Sequence, residues 1–121
     1  MSKYQTLEVW KTTMELVKEI YLLTGKYPKE EMYALTSQTK RAAVSVPANI
    51  AEGAGRQYKK DTIQFLHISR GSLYELETHL NIAMMVQIIS EDELLKVSGL
   101  IEKSMQLLNG FINYMGKADL K

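Results

Sequence analysis

The chain has 121 residues, with 15 Lys and Arg against 14 Asp and Glu, so it carries almost no net charge. Such a length corresponds to one domain, taken here as residues 1–121. Hydrophobic residues make up 45% and charged residues 24%, which excludes disordered, collagen-like and fibrous compositions. Cysteine is absent, which excludes a disulfide framework, a thiolate nucleophile and a cysteine metal site.

The first ten residues show no apolar core of a signal peptide. The longest apolar run, Ala83 to Val86, is far short of the ~20 residues that span a bilayer. Together with the missing cysteines this points to a cytoplasmic protein with no membrane partner. Glycine and proline are sparse and cluster at Gly25 to Pro28 and at Gly53 to Gly55; a third polar break lies at Ser90 to Glu93. Three breaks divide the chain into four segments.

The first segment, Thr6 to Thr24, carries two adjacent apolar rows. One is Leu7, Trp10, Met14, Val17 and Tyr21; the other is Val9, Thr13, Leu16, Ile20 and Leu23. Spacings of 3 and 4 predict a helix with a broad core-facing stripe. Gly25 is expected to end it in the left-handed C′ conformation.

The second segment, Glu31 to Ala54, has Leu35, Ala42, Val46 and Ile50 on its apolar side. Pro47 lies inside it. Proline removes a donor and clashes with the carbonyl four residues back, that of Ala43. The apolar stripe continues to Ile50, which predicts a kinked single helix; two shorter helices are the other reading. A polar stripe also runs along this segment: Gln38, Arg41, Ser45, Asn49, Glu52 and Arg56. At about 100° per residue these lie within roughly 60° of one line.

The third segment, Lys59 to Gln87, repeats Leu66, Ser69, Leu73, Leu76, Leu80 and Ala83 at helical spacing. Folding the second segment back on it through a turn near Gln57 sets Arg41 opposite Glu75, Ser45 opposite Gly71, Asn49 opposite His67 and Glu52 opposite Gln64. Arg41 and Glu75 are expected within salt-bridge reach, in one chain or between neighbouring subunits, and Gly71 to permit close approach. The polar stripe then has two readings. It is a solvated face with exposed ion pairs worth at most ~1 kcal/mol each, or a partly buried seam that sets register or meets another subunit.

The fourth segment, Glu91 to Met115, carries Leu94, Val97, Ile101, Met105, Leu108, Ile112 and Met115. Ser90 and Glu93 have the spacing of a capping box, and the acids at this start suit the helix dipole. The methionines Met84, Met85, Met105 and Met115 are read as core filler. No period-2 pattern is sustained anywhere. Short connections make neighbouring helices antiparallel, so the predicted fold is all-α, an up-down-up-down four-helix bundle.

Charge is segregated along the chain. From Gln38 to Lys60 the bases Lys40, Arg41, Arg56, Lys59 and Lys60 face only Glu52; from Glu75 to Glu102 six acids face only Lys96. Arg56, Lys59 and Lys60 flank the start of the third helix, where free N–H groups favour an anion. With Lys40 and Arg70 they are the candidate nucleic-acid contacts. Gly53-x-Gly55 is a weak phosphate signal and reads more simply as a turn. Di-metal helical bundles need Glu-x-x-His. His67 is preceded at that spacing by Gln64, and Glu75 precedes His79 by four positions. No catalytic, metal or cofactor residues are therefore assigned, and the chain is not read as an enzyme.

Two dense motifs carry a resemblance. Gln38, Arg41-Ala42, Ser45, Asn49-Ile50-Ala51-Glu52-Gly53 and Arg56 form the first, and Gly71-Ser72-Leu73-Tyr74-Glu75-Leu76-Glu77-Thr78 the second. With Trp10 in the first helix, the chain from about Leu7 to Met115 resembles the 23S rRNA-intervening-sequence protein family. The resemblance implies an antiparallel four-helix bundle that assembles as a homopentamer. It also implies an association with insertions in large-subunit ribosomal RNA genes. A similar bundle, the accessory protein of diversity-generating retroelements, implies possible partners in RNA or DNA and in a reverse transcriptase or another protein.

Overall fold

The computed structural model describes residues 3–119. Four helices account for most of them: α1 (Glu8–Thr24), α2 (Leu35–Ala54), α3 (Lys59–Met85) and α4 (Glu91–Asp119). Short 3-10 turns at Tyr4–Thr6 and Lys29–Glu31 precede α1 and α2, and no strand occurs among the described residues. At ~1.5 Å per residue the helices run from ~26 to ~44 Å, close enough in length to lie side by side.

Each helix packs on its neighbours in sequence, and α4 closes the ring against α1. The hydrogen bonds across the α2–α3 seam establish the antiparallel sense. Ser45 Oγ lies 2.8 Å from Ser72 Oγ, Ser69 donates to the Val46 carbonyl, and Thr62 donates to the Gly53 carbonyl. Positions rise along α2 as they fall along α3. At the far end Lys26, just past α1, reaches Glu93 in the first turn of α4. The all-α, up-down-up-down bundle read from the sequence is the observed architecture.

The core follows the predicted stripes of three helices. Leu66, Ser69, Leu73, Leu76, Leu80 and Ala83 of α3 are all fully buried. They meet Val46 and Ile50 of α2 and Leu108 of α4 in one cluster. Of the two rows on α1, Val9, Thr13, Leu16, Ile20 and Leu23 is the buried one, with Thr12 and Thr24 buried beside it. In the other row Trp10 and Val17 are half-buried, while Met14 and Tyr21 are 43% and 46% exposed. The broad stripe expected on α1 is therefore only half used within the chain, because a helix at the corner of a four-helix ring turns one stripe inward. Met85 is likewise exposed, unlike Met84, Met105 and Met115, which pack against the core.

Helix α2 runs without interruption through Pro47, which is buried. Side-chain donors serve the carbonyls beside it: Asn49 Nδ2 reaches the Ser45 carbonyl and Ser69 Oγ the Val46 carbonyl. The helix begins at Leu35 rather than Glu31, because Ala34 at φ −124°, ψ −107° breaks the helical geometry.

One terminal expectation is corrected and one is met. Gly25 has right-handed geometry (φ −59°), since the chain leaves α1 through tightened turns in which Lys26 and Tyr27 bond back to the Leu23 and Thr24 carbonyls. The left-handed residue is Gln87 (φ 65°), just past α3. There Ile88 N–H bonds to the Ala83 carbonyl at 2.8 Å and Gln87 N–H to the Met84 carbonyl at 3.0 Å, a Schellman motif. The capping box at α4 forms with both arms: Glu93 N–H to Ser90 Oγ at 3.1 Å and Ser90 N–H to Glu93 Oε1 at 2.9 Å.

Candidate nucleic-acid interface

The antiparallel ring brings four chain segments to one end of the bundle: the turn before α1, the end of α2, the start of α3 and the end of α4. They line an open surface cavity of about 310 Å³. Leu7, Ala54, Phe111 and Met115 give it apolar walls, and Lys3, Arg56 and Lys59 line it as well. Among the described residues no carboxylate lines it.

Local chemistry holds this arrangement. At the end of α2 Gly53 lies so close to α3 that an added Cβ would sit 2.9 Å from Phe65 Cβ and 3.1 Å from the Thr62 carbonyl. The close approach expected at Gly71 therefore belongs to Gly53; a Cβ at Gly71 would meet nothing within 4 Å. The Thr62 hydroxyl locks the same crossing by donating to the Gly53 carbonyl at 2.8 Å. Beyond it Arg56 is held in two ways. Its Nη2 lies 2.7 Å from Glu52 Oε2, and its guanidinium sits 4.6 Å above the Phe65 ring. Tyr58, the N-cap of α3, makes no side-chain cap. The N–H groups of Lys59 and Lys60 open α3, and Asp61 supplies an acid in the same turn.

The five basic candidates do not share one surface. Arg56 and Lys59 line the cavity, and Lys60 is exposed beside them on the first turn of α3. Lys40 lies ~24 Å away along α2, with Nζ 4.8 Å above the Tyr21 ring in the α1–α2 groove. Arg70 is on the α3–α4 side, donating to Asn109 Oδ1 at 2.8 Å and 2.9 Å from His67 Nδ1. Distance along α2 removes Lys40, and rotation of α3 turns Arg70 towards α4. The residues missed from the sequence are Lys3, Leu7, Phe111 and Met115. An antiparallel bundle must place both chain ends beside the α2–α3 turn, and that topology was the available signal.

The polar stripe divides as well. Gln38, Arg41, Ser45 and Glu75 line a groove of about 550 Å³ between α2 and α3. Arg41 and Glu75 thus face the same groove but form no ion pair within the chain; the Glu75 carboxylate is 3.9 Å from His79 Nε2 instead. Asn49 turns to Ser45 rather than to His67, and Glu52 to Arg56 rather than to Gln64. The seam that fixes register consists of small hydroxyls: Ser45, Thr62, Ser69 and Ser72.

The acidic counterpart is at the opposite end, where Glu91, Asp92 and Glu93 open α4. The Ser90 N–H holds the Glu93 carboxyl below its usual range, and Lys26 and Lys96 add to this. Tyr27, beside it, is pushed up to about 12 by burial and then by the Glu93 charge. No group of three His, Asp or Glu side chains that could hold a metal occurs among the described residues. None of their helices is long and apolar enough to cross a membrane.

Comparison with known proteins agrees with this architecture. No curated protein matches the chain. Among solved structures it is similar to a protein of unknown function from the S23 ribosomal protein family of Bacteroides thetaiotaomicron, with a TM-score of 0.79 at 22% identity. The match covers 86% of this chain and 97% of that one. At this identity the likeness shows the fold. The family model described as 23S rRNA-intervening sequence protein matches residues 5–110, which include both motifs, the hydroxyl seam and the α2–α3 side of the basic cavity. The chain belongs to the 23S rRNA-intervening sequence protein family.

Proposed function

We propose that the protein is a non-enzymatic homo-oligomer that binds RNA or other nucleic acid through the basic pole of its bundle. The observation that supports this most directly is the set of Lys3, Arg56 and Lys59 around one cavity whose described lining holds no acid. Lys60 stands beside it, and the acids Glu91 to Glu93 collect at the other end. Lys3, Arg56, Lys59 and Lys60 outnumber the acids of this end, which are Glu52 paired with Arg56, Asp61 in the first turn of α3 and Glu8 in the first turn of α1. Closed assembly, five subunits by family resemblance, would repeat that surface once per subunit and convert modest local charge into avidity.

The binding is phosphate-driven, since no element reads base edges in a groove. Affinity for duplex should therefore fall with salt at a log–log slope near −0.9 per neutralised phosphate. Anisotropy titration with ribosomal RNA fragments at low and moderate salt tests this. The Arg56→Ala, Lys59→Ala, Lys60→Ala triple variant is expected to lose affinity for all sequences alike and to flatten the salt slope. Absence of binding at low salt, or no effect of the triple variant, would overturn the reading.

A specific observation favours a second reading, a protein-interaction scaffold with no nucleic-acid role, whose partner is a reverse transcriptase or another protein. Met14, Tyr21 and Val44 are exposed on α1 and α2, and Tyr21 and Val44 share one groove. An apolar face of this kind fits a protein partner better than a phosphate backbone.

A further inference from the structure

We infer that the cavity at the basic pole takes one unpaired nucleotide, with its base between the apolar walls and its phosphate on the cationic side chains. This rests on the nucleic-acid reading above and deepens it. The volume of about 310 Å³ falls at the small end of pockets that enclose a small ligand. A double helix presents its phosphates on a rod and keeps its bases stacked, so it could touch the rim but leave the cavity empty. An unpaired base can be splayed out and stacked on protein side chains.

The lining matches such an occupant part by part. Leu7, Phe111 and Met115 provide apolar contact area, and Lys3, Arg56 and Lys59 provide the charge. Tyr4 also lines the cavity, and its ring packs edge-on to Trp10, at 5.5 Å between centroids and 66° between planes. Arg56 is held by Glu52 and Phe65 before any ligand arrives. At the start of α3 the Asp61 and Thr62 N–H groups bond to the Tyr58 carbonyl, which leaves those of Lys59 and Lys60 for phosphate. An alkyl carboxylate would satisfy the charge and the apolar walls but not the Gln57 amide on the lining. That amide suits the edge of a base and would be desolvated without a partner by a hydrocarbon chain.

The test is an anisotropy titration at low salt with a 3′-labelled oligoadenylate single strand and with its duplex with oligouridylate. The single strand is expected to bind about 10-fold more tightly. Adenosine 5′-monophosphate should displace it, and oleate should not. Ala54→Leu, which fills the cavity from its α2 wall, should bring single-strand affinity down to the duplex value and leave the duplex unchanged. Lys3→Glu, at an exposed position that folding does not need, should weaken the single strand whether or not Ala54→Leu folds. Equal binding of both forms, insensitive to Ala54→Leu, would overturn the inference and leave the basic-pole reading standing. No binding of either form would overturn both. Displacement by oleate and not by the nucleotide would reassign the cavity to an amphipathic carboxylate.

Discussion

Gln87 holds φ 65°, a conformation that costs an ordinary side chain energy and glycine almost none. Its two Schellman hydrogen bonds impose that geometry. Gln87→Gly is therefore expected to stabilise the protein by about 0.5–1 kcal/mol, after allowing for the looser unfolded chain. Thermal denaturation should show a midpoint a few degrees higher. Tyr27 tests burial through pH. Its folded value of about 12 lies above the ordinary phenol value of 10.0. The stability from keeping the phenol neutral is thus intact below pH 10 and is lost as pH rises towards 12. Tyr27→Phe should flatten the stability curve in that alkaline window, read by denaturant melts at stepped pH, and change little at neutrality.

At the scale of elements, α4 begins where a capping box satisfies two orphan backbone donors. Ser90→Ala should cost about 1 kcal/mol, seen as a lower urea midpoint with unchanged slope. The partner carboxylate adds a pH dependence of known sign. Glu93 is held below its ordinary value chiefly by the Ser90 N–H. Its contribution is present above the unfolded value and is lost as pH falls through the folded one. Glu93→Gln should therefore narrow the stability difference between neutral and acidic pH. Along α2 and α3 small hydroxyls bind carbonyls at close range, whereas Arg41 and Glu75 only share a groove. Register is set by the short side chains because only they fit where Gly53 and Thr62 draw the backbones together.

On the whole molecule, the antiparallel ring turns a charge gradient along the sequence into two poles. Arg56, Lys59 and Lys60 lie at the end where α2 meets α3, and Glu91, Asp92 and Glu93 at the end where α3 meets α4. Exposed apolar residues on α1 and α2 leave a further face for a neighbour. Unlike patches at the poles and on the flank suit the heterologous contacts of a closed ring. Light scattering across a size-exclusion peak should give a mass above that of a dimer, five subunits by family resemblance. A monomer mass at micromolar concentration would overturn the assembly.

The sequence by itself determined the helices, the α3 stripe, the capping box and the α2–α3 register. It did so because the 3.6-residue period, the cap chemistry and a short turn are local constraints, legible from neighbouring residues. The Leu66 to Ala83 stripe is buried at every position for that reason. Which α1 row faces inward, and where each base points, depends on how each helix is rotated against two others. That rotation is settled by packing, so Tyr21 stays exposed and Arg70 turns to α4, away from the pole where Arg56 and Lys59 remain. Lys3 and Phe111, over a hundred residues apart in sequence, share one cavity only because the ring closes α4 onto α1.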